Sequence, residues 1–360
     1  MQMTASPLRA CQAEPRFNPD MLRLARDYWQ HTRKGLAEMI EVSPGFITQI
    51  EDGTKQPSEV TIEKITAALK FPRDFFFQQG RFEAAPTSIF RRRVSIPRGT
   101  MITCTARLAI AKRTVERMLE LLNAPNHKIP SIDPNEVKGG AGNVAKLVRR
   151  ALRIPDGPIR SIVEILEESG VLVIPFDFGT AKIDGCSDWI DGQPVIFYNP
   201  ACQRSRLRHT LAHELGHLVM HTMVDEGDCE DEADAFASEF NMPSDEIKSQ
   251  LLPMNMRRLA VLKAYWKSSM SAILYKSKVL GVVSEYKYRS MFIQLREMCR
   301  HMEEPNEELV PHERPQSIPY LLQAYTQEVG GDVEGVLQHL RLSESVFSQI
   351  LPTSTLLRAV

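Results

Sequence analysis

Apolar positions recur three and four residues apart over most of this chain, which predicts helices, and the interruptions mark where one element hands over to the next. Within residues 18–80, MLRLARDYW reads as a first amphipathic helix and TRKGLAEMI as a second, with Thr32 placed to cap it. EVS is a short turn, Ser43 caps a third helix, Pro44 takes its first position, and GFITQIE completes it. Two short helices joined in this way form a helix-turn-helix. DGTKQPS is then a loop, TIEKITAALK a fourth helix, and FPRDFFF an aromatic turn that closes the core.

The pattern changes in the second third of the chain. RRRVSIPRGT, Arg91 to Thr100, reads as a basic linker, residues 105–123 as a helix, and NAPNHKIPSIDPNEVKGGAG as a Pro/Gly/Asn-rich boundary. A helix from Asn143 opens the next domain, followed by the helix SIVEILEESG and the buried strand VLVIPFD. KIDGCSDWIDGQPVIFYNP predicts a hairpin turning at Asp191-Gly192, with PVIFYN leading to a helix over HTLAHELGHLVMH. DCEDEADAFASEFNMP predicts another helix, from near Asp228 to a stop at Pro243. Further helices follow in LAVLKAYWKSSMSAILYKSKVLGVV; residues 303–317 read as a polar, Pro-containing linker and the remainder as short helices. The expected fold class is multidomain: an all-α helix-turn-helix domain (18–80), a basic linker with a connecting helix (81–142), an α+β domain with a small sheet (143–285), and a helical C-terminal region (286–360).

Composition narrows this only slightly. The chain has 360 residues, 44 Lys+Arg against 45 Asp+Glu, and a net charge of −1, so no global charge argues for nucleic acid or a membrane. No run of about 20 apolar residues is present to span a bilayer, and MQMTASPLRACQAEPRF lacks the apolar core of a signal peptide. A cytoplasmic protein with no membrane partner is expected. The six cysteines, Cys11, Cys104, Cys186, Cys202, Cys229 and Cys299, show no C-x-x-C pairing, so no structural zinc module or disulfide framework is indicated. Cys229 and Cys186 are the two candidates for a redox-responsive thiol.

The candidate chemistry lies in HTLAHELGHLVMH. His213 and His217 are four apart and share one helix face, while Glu214 is offset by about 100°, within reach of a water on a cation held by both. This is the HExxH arrangement, in which two neutral imidazoles hold Zn²⁺ and the glutamate takes a proton from the metal's water. Leu211, Ala212, Leu215, Leu218 and Val219 bury the other faces. Gly216 is best explained by a backbone or a substrate passing close. A catalytic zinc needs a third protein ligand. His221 fails on distance, because the helix rises about 12 Å between His213 and His221; it is read as a helix-end residue behind the ligands. Glu230 is the candidate instead, on a face with Ala233, Asp234 and Ala237 whose small residues allow close approach, while Glu232 points away. Asp234, one turn on, can accept a hydrogen bond from a ligand imidazole.

These segments resemble known families. RSRLRHTLAHELGH from Arg204, then EDEADAFA from Glu230 and Met242-Pro243, with the hairpin before and the helical element after, is similar to the ImmA/IrrE family of zinc metallopeptidases over roughly residues 150–285. The resemblance implies a zincin-like fold, His213, His217 and Glu230 as zinc ligands and Glu214 as general base. It departs at His209, where the family more often has an aromatic residue, and no role is given to it. LAEMIEVSPGFITQIEDGTKQPSEVTIEKITAAL resembles the lambda-repressor-like (XRE-type) helix-turn-helix, with IEDGTKQPS the most recognisable part. In such a unit the start of the third helix enters the major groove. Ser43, Gly45, Thr48 and Gln49 are then the DNA-facing residues of that helix, and Arg33, Lys34 and Lys55 meet phosphates. The near-neutral charge of residues 18–80 leaves a second use open, dimerisation or partner docking, and the Arg91–Thr100 stretch is equally a phosphate contact or a solvated run.

The expected function is a zinc-dependent regulatory endopeptidase fused to a DNA-binding domain. By resemblance its protein substrate is a partner repressor or antitoxin-like regulator, and a homodimer is a further candidate assembly. The alternative is a transcription regulator whose peptidase-like domain senses a ligand, metal or redox state without proteolysis. Tyr198 and His221 are the candidate oxyanion donors.

Overall fold

The computed structural model describes residues 16–79, 96–122, 126–221, 229–300 and 303–351; Cys11, Arg91 to Arg93 and Asp228 lie outside these. The chain divides into two compact units, one comprising the chain up to Ile110 together with Leu337–Phe347, the other Ala111–Val336 with the end of the chain.

The first unit is helical because its helix starts are written as caps. Asn18, Thr32, Ser43 and Ser58 each accept a backbone N–H from the first turn of α1 (Pro19–Tyr28), α2 (Arg33–Met39), α3 (Pro44–Glu51) and α4 (Glu59–Leu69), respectively. Leu22, Ala25, Leu36, Ala37, Ile47, Ile50, Ile65 and Leu69 are buried between these helices. The 3₁₀ turn Arg73–Phe77 closes this core with Phe75 and Phe76, packed against Phe71. One buried charge ties the helices together. Glu51, at the end of α3, accepts from Arg26 Nε of α1 and Arg33 Nε of α2, each at 2.6 Å. Removing either arginine leaves part of a buried carboxylate uncompensated, which makes the contact costly to break.

α5 (Arg98–Leu121) begins seven residues before the expected start at residue 105. Arg98, Gly99 and Thr100 therefore belong to a helix and not to a linker. The physical reason is that Cys104, Leu108, Ala111, Val115 and Met118 continue one buried stripe for which the residues from Arg98 supply the opening turns.

The second unit is built on a mixed three-stranded sheet followed by helices. After α6 (Gly140–Ala151) and α7 (Ile162–Glu168) come β1 (Leu172–Pro175), β2 (Gly185–Ile190) and β3 (Gln193–Tyr198), in the spatial order β1-β3-β2. β1 runs parallel to β3, and β2 antiparallel to it with Ser187 opposite Ile196. The hairpin turns on two residues, Asp191 at φ 48° and Gly192 at φ 76°, the left-handed pair that a two-residue hairpin needs. α8 (Arg204–Met220) lies on the sheet, and α9 (Cys229–Asn241) packs on α8 and α6. Val144, Val148, Val173, Ile196, Leu211, Leu215, Leu218, Phe236 and Phe240 form the shared core. A second core, around Leu259, Leu262, Trp266, Ile273 and Leu274, joins α10 (Ser244–Ile247), α11 (Met256–Trp266), α12 (Met270–Val279) and α13 (Glu285–Met298). α14 (Ser317–Glu328), α15 (Val333–Leu340) and α16 (Glu344–Ile350) follow. Among the described residues no helix is long and apolar enough to cross a membrane.

Residues 303–317 differ from expectation. In place of a solvated linker they carry buried carboxylates that reach back to α8. Gln203 offers α8 no side-chain cap, and Glu307 supplies one from 102 residues away by accepting from Ser205 N and Ser205 Oγ, both at 2.8 Å. Glu307 and Glu304 also flank the fully buried Lys263 ammonium, at 2.5 and 2.9 Å. Glu313 pairs with Arg208 on the next turn of α8, both side chains being 3% exposed, and accepts from Ser161 Oγ and Val163 N. Charges are affordable here only because each is paired and bonded.

A pH dependence follows for Glu307. Burial opposes its ionisation, but Lys263 and Ser205 outweigh burial and hold its carboxyl below the ordinary 4.5. A depressed carboxyl stabilises the fold fully above its unfolded value and loses that contribution as the pH falls through its folded value. The melting temperature of the wild type is therefore expected to fall between about pH 5 and 3 more steeply than that of Glu307→Gln. Parallel curves would show that the contact carries no linkage.

Candidate metal centre

α8 is buried on three sides and turns its remaining face toward α9. Leu211, Ala212, Leu215, Leu218 and Val219 go into the core, whereas His213 and His217 stay half-buried. α9 comes close because its facing residues are small or flat. Ala233 and Ala237 are fully buried in the contact, and a Cβ at Gly216 would stand 3.1 Å from the Phe236 ring. Gly216 thus makes room for a side chain of α9, not for a backbone or a substrate as its sequence position suggested.

That approach brings three donors together. His213 Nε2 and His217 Nε2 are 3.1 Å apart, and the Glu230 carboxylate lies 3.7 Å from the first and 3.5 Å from the second. Ligands about 2.1 Å from a tetrahedral ion are about 3.4 Å from one another, so the three separations fit one ion. The surrounding bonds set the tautomers. Asp234 Oδ1 is 2.8 Å from His213 Nδ1, so that nitrogen carries the proton and Nε2 a lone pair. Glu232 Oε2 is 2.9 Å from His221 Nε2, and His221 Nδ1 is 2.9 Å from His217 Nδ1. Followed from the carboxylate, His221 donates to Glu232 and accepts from His217, again leaving a lone pair on His217 Nε2. Two lone pairs and a carboxylate facing one point could hold a cation between them.

The electrostatics agree. Burial works against protonation of His213, but the Asp234 bond and the Glu214, Asp234 and Glu230 charges outweigh it and raise its pKa above 6.5. The field that favours a proton also favours a divalent ion, and the two compete. Burial lowers the pKa of His221 despite its Glu232 bond, in keeping with a neutral relay. Partial desolvation works against ionisation of the exposed Asp234, but His209 and His213 beside it outweigh that and hold its carboxyl well below the ordinary range.

Glu214 points away from α9, toward the sheet. It is buried, and Ser187 Oγ on β2 donates to its Oε2 at 2.8 Å. β2 can lie this close because residue 185 is glycine: a Cβ there would meet Thr210 Cγ2 at 2.9 Å and Phe197 O at 3.0 Å, with Glu214 Cγ at 3.5 Å.

Three groups escaped the sequence. Ser187 had no signal beyond strand alternation, which puts residues 185, 187 and 189 on one face. Glu232, set aside as pointing away from Glu230, bonds His221. His209, given no role, lies 3.4 Å from Asp234 Oδ1, and His209, His213 and Asp234 form a second group able to hold an ion. The 209-213-217-221 spacing was the available clue. Tyr198 is a correction. It is buried against a cavity lined by Cys202, Leu207, Arg208, Pro311, His312 and Glu313, none of them a member of the histidine cluster, and burial pushes its hydroxyl up to about 12. That position excludes it as an oxyanion donor. His221 is occupied on both ring nitrogens and is excluded likewise.

In the first unit Ser43, Gly45 and Gln49 are exposed at α3, and Lys34 and Lys55 are exposed nearby. Thr48 Oγ1 bonds back to Pro44 O at 3.2 Å, and Lys55 Nζ stands 4.8 Å over the Phe46 ring. Arg33, expected at phosphate, gives its Nε to Glu51.

Residues 166–278 match the Peptidase_M78 model, the IrrE N-terminal-like domain. An IrrE/ImmA-like peptidase domain is present there, over roughly a third of the 360-residue chain. It spans β1 through α12 and contains every member of the histidine cluster. No curated protein matches the chain. The domain thus carries a clustered set of histidines and carboxylates geometrically able to hold a metal ion.

Gly216→Ala tests the close approach. Alanine gains about 1 kcal/mol of helix propensity, but displacing Phe236 costs about 1–3 kcal/mol as overpacking. Net destabilisation in urea unfolding is expected, as Phe236 is displaced from its contact with α8. A stabilised variant would contradict the packing account.

Proposed function

We propose that residues 143–285 form a zinc-dependent endopeptidase in which His213, His217 and Glu230 hold the ion and Glu214 is the general base. The observation that carries this reading is the convergence of those three donors beside a buried glutamate oriented by Ser187. Bound zinc supplies Lewis-acid polarisation and lowers the pKa of a coordinated water from about 15.7 toward 7. The chain's own residues do the rest. Ser187 fixes one Glu214 oxygen and leaves the other to take the proton of the attacking water and return it to the leaving amine. Asp234 and the His221–Glu232 pair keep both imidazoles in the ligating tautomer.

β2 is an edge strand, and in its register with β3 the backbone groups of Gly185 and Ser187 face the open side. An extended peptide added along that edge passes directly by Glu214. The substrate is a protein segment able to become extended, and the family resemblance points to a partner repressor or antitoxin-like regulator.

The reading of residues 18–80 is DNA binding, with Ser43, Gly45, Thr48 and Gln49 toward the bases and Lys34 and Lys55 toward phosphates. The exposed start of α3 supports it. Arg33, engaged by Glu51, serves the fold of the unit more than the phosphate backbone.

Glu214→Gln separates catalysis from metal binding. Zinc content is expected to match the wild type, while cleavage of a random peptide library falls by at least about 10²-fold; His217→Ala is expected to lose both. If regulation in cells survives Glu214→Gln but not His217→Ala, the domain is a sensor and the peptidase reading falls. For the DNA arm, Gln49→Ala is expected to relax preference at one base pair by about 1–3 kcal/mol, measured by binding to a library of duplexes. Lys34→Ala is expected to weaken all sequences alike and lower the salt slope by about one. Uniform loss in both variants would place Gln49 away from the bases.

A further inference from the structure

His209 stands one turn before His213 on α8, half-exposed, with its Nε2 3.4 Å from Asp234 Oδ1. The same oxygen is 2.8 Å from His213 Nδ1. Asp234 itself is 62% exposed on α9. A carboxylate in that position rotates freely and exchanges its partner for water unless something holds it. We propose that His209 is a positioning residue of the metal centre: by donating from Nε2 to Asp234, it keeps that carboxylate on His213 and strengthens the site's hold on zinc. The inference rests on the metal-site reading above and deepens it.

A different assignment of the same atoms makes His209, His213 and Asp234 a cation site of their own. His213 decides between them. An ion at its Nδ1 would displace the proton that Asp234 accepts, and with it the arrangement that points Nε2 at His217 and Glu230. The 2.8 Å separation is a hydrogen-bond length, short of the roughly 3.4 Å between two ligands of one tetrahedral ion. Asp234 Oδ1, facing His213 Nδ1 at 2.8 Å and His209 Nε2 at 3.4 Å, engages all three groups without a second ion. His209 then acts on the metal entirely through Asp234, which fixes what a double variant must do.

The test uses the full chain with zinc alone as probe, its affinity read by competition with a chromophoric chelator. Asp234→Asn is expected to weaken zinc binding by about 10- to 100-fold, as loss of a ligand's hydrogen-bond partner does, and His209→Phe by about 5- to 10-fold. The double variant is expected to bind within about twofold of Asp234→Asn, because the effect of His209 requires the carboxylate. His209→Gln, which keeps a donor, is expected to recover part of the loss. The metal-free melting temperature of His209→Phe is expected to match the wild type, which separates positioning from a structural role. Wild-type zinc affinity in His209→Phe, losses that multiply in the double variant, or a second zinc in the wild type that His209→Phe lacks would each overturn the proposal. Failure of the site reading itself looks different: zinc affinity would then be unchanged by His217→Ala. A chain that binds zinc in the expected pattern but cleaves no peptide would leave the role of His209 standing.

Discussion

Everything at the site depends on how closely α9 can approach α8. The two helices meet with Gly216 against the Phe236 ring and with Ala233 and Ala237 fully buried. A larger residue at any of these positions pushes Glu230 and Asp234 outward together, since both ride on one rigid helix. The geometry is therefore a packing property first and an electrostatic one second. Hydrophobic contacts place the donors, and the carboxylates then set which nitrogens carry protons.

The two carboxylates behind His213 and His217 divide the work by position. Asp234 bonds His213 directly. Glu232 reaches His217 only through His221, because the helix has ended by then and the cap residue supplies the extra length. Both arrangements turn Nε2 inward. The far side of α8 is tied down independently, by Glu307 at its first turn and Glu313 on Arg208. A helix carrying the histidine cluster on one face is thus held by buried ion pairs on another, in keeping with the need to fix a site on a rigid support.

Much of this was legible in the sequence where the controlling interaction is local. The caps Thr32 and Ser43, the Asp191-Gly192 turn and the i,i+4 histidines all act within one turn of chain, so residue type and spacing predict them. The choice of Glu230 over Glu232 followed from helix phase and neighbouring alanines, and the structure sets Glu230 beside both histidines. What could not be read depends on distant partners. Residues 303–317 look like a linker because their carboxylates find Ser205, Arg208 and Lys263 only after folding. Ser187 meets Glu214 across a strand-helix contact with no sequence signature. Tyr198 failed as a donor because its strand position sends it to a different cavity, a matter of register and not of residue type. α5 started early because a long buried stripe overrode a basic, Gly-containing opening.

The central claim is that His213, His217 and Glu230 converge on a single zinc ion while leaving a position for water. Anomalous diffraction at the zinc edge, on crystals of the full chain grown with one equivalent of the metal, tests it most directly. The account predicts one strong peak within about 2.1 Å of both Nε2 atoms and of a Glu230 oxygen, with the remaining position open toward Glu214. A peak on His209 and Asp234 instead, or an ion held by the two histidines with Glu230 turned away, would contradict it.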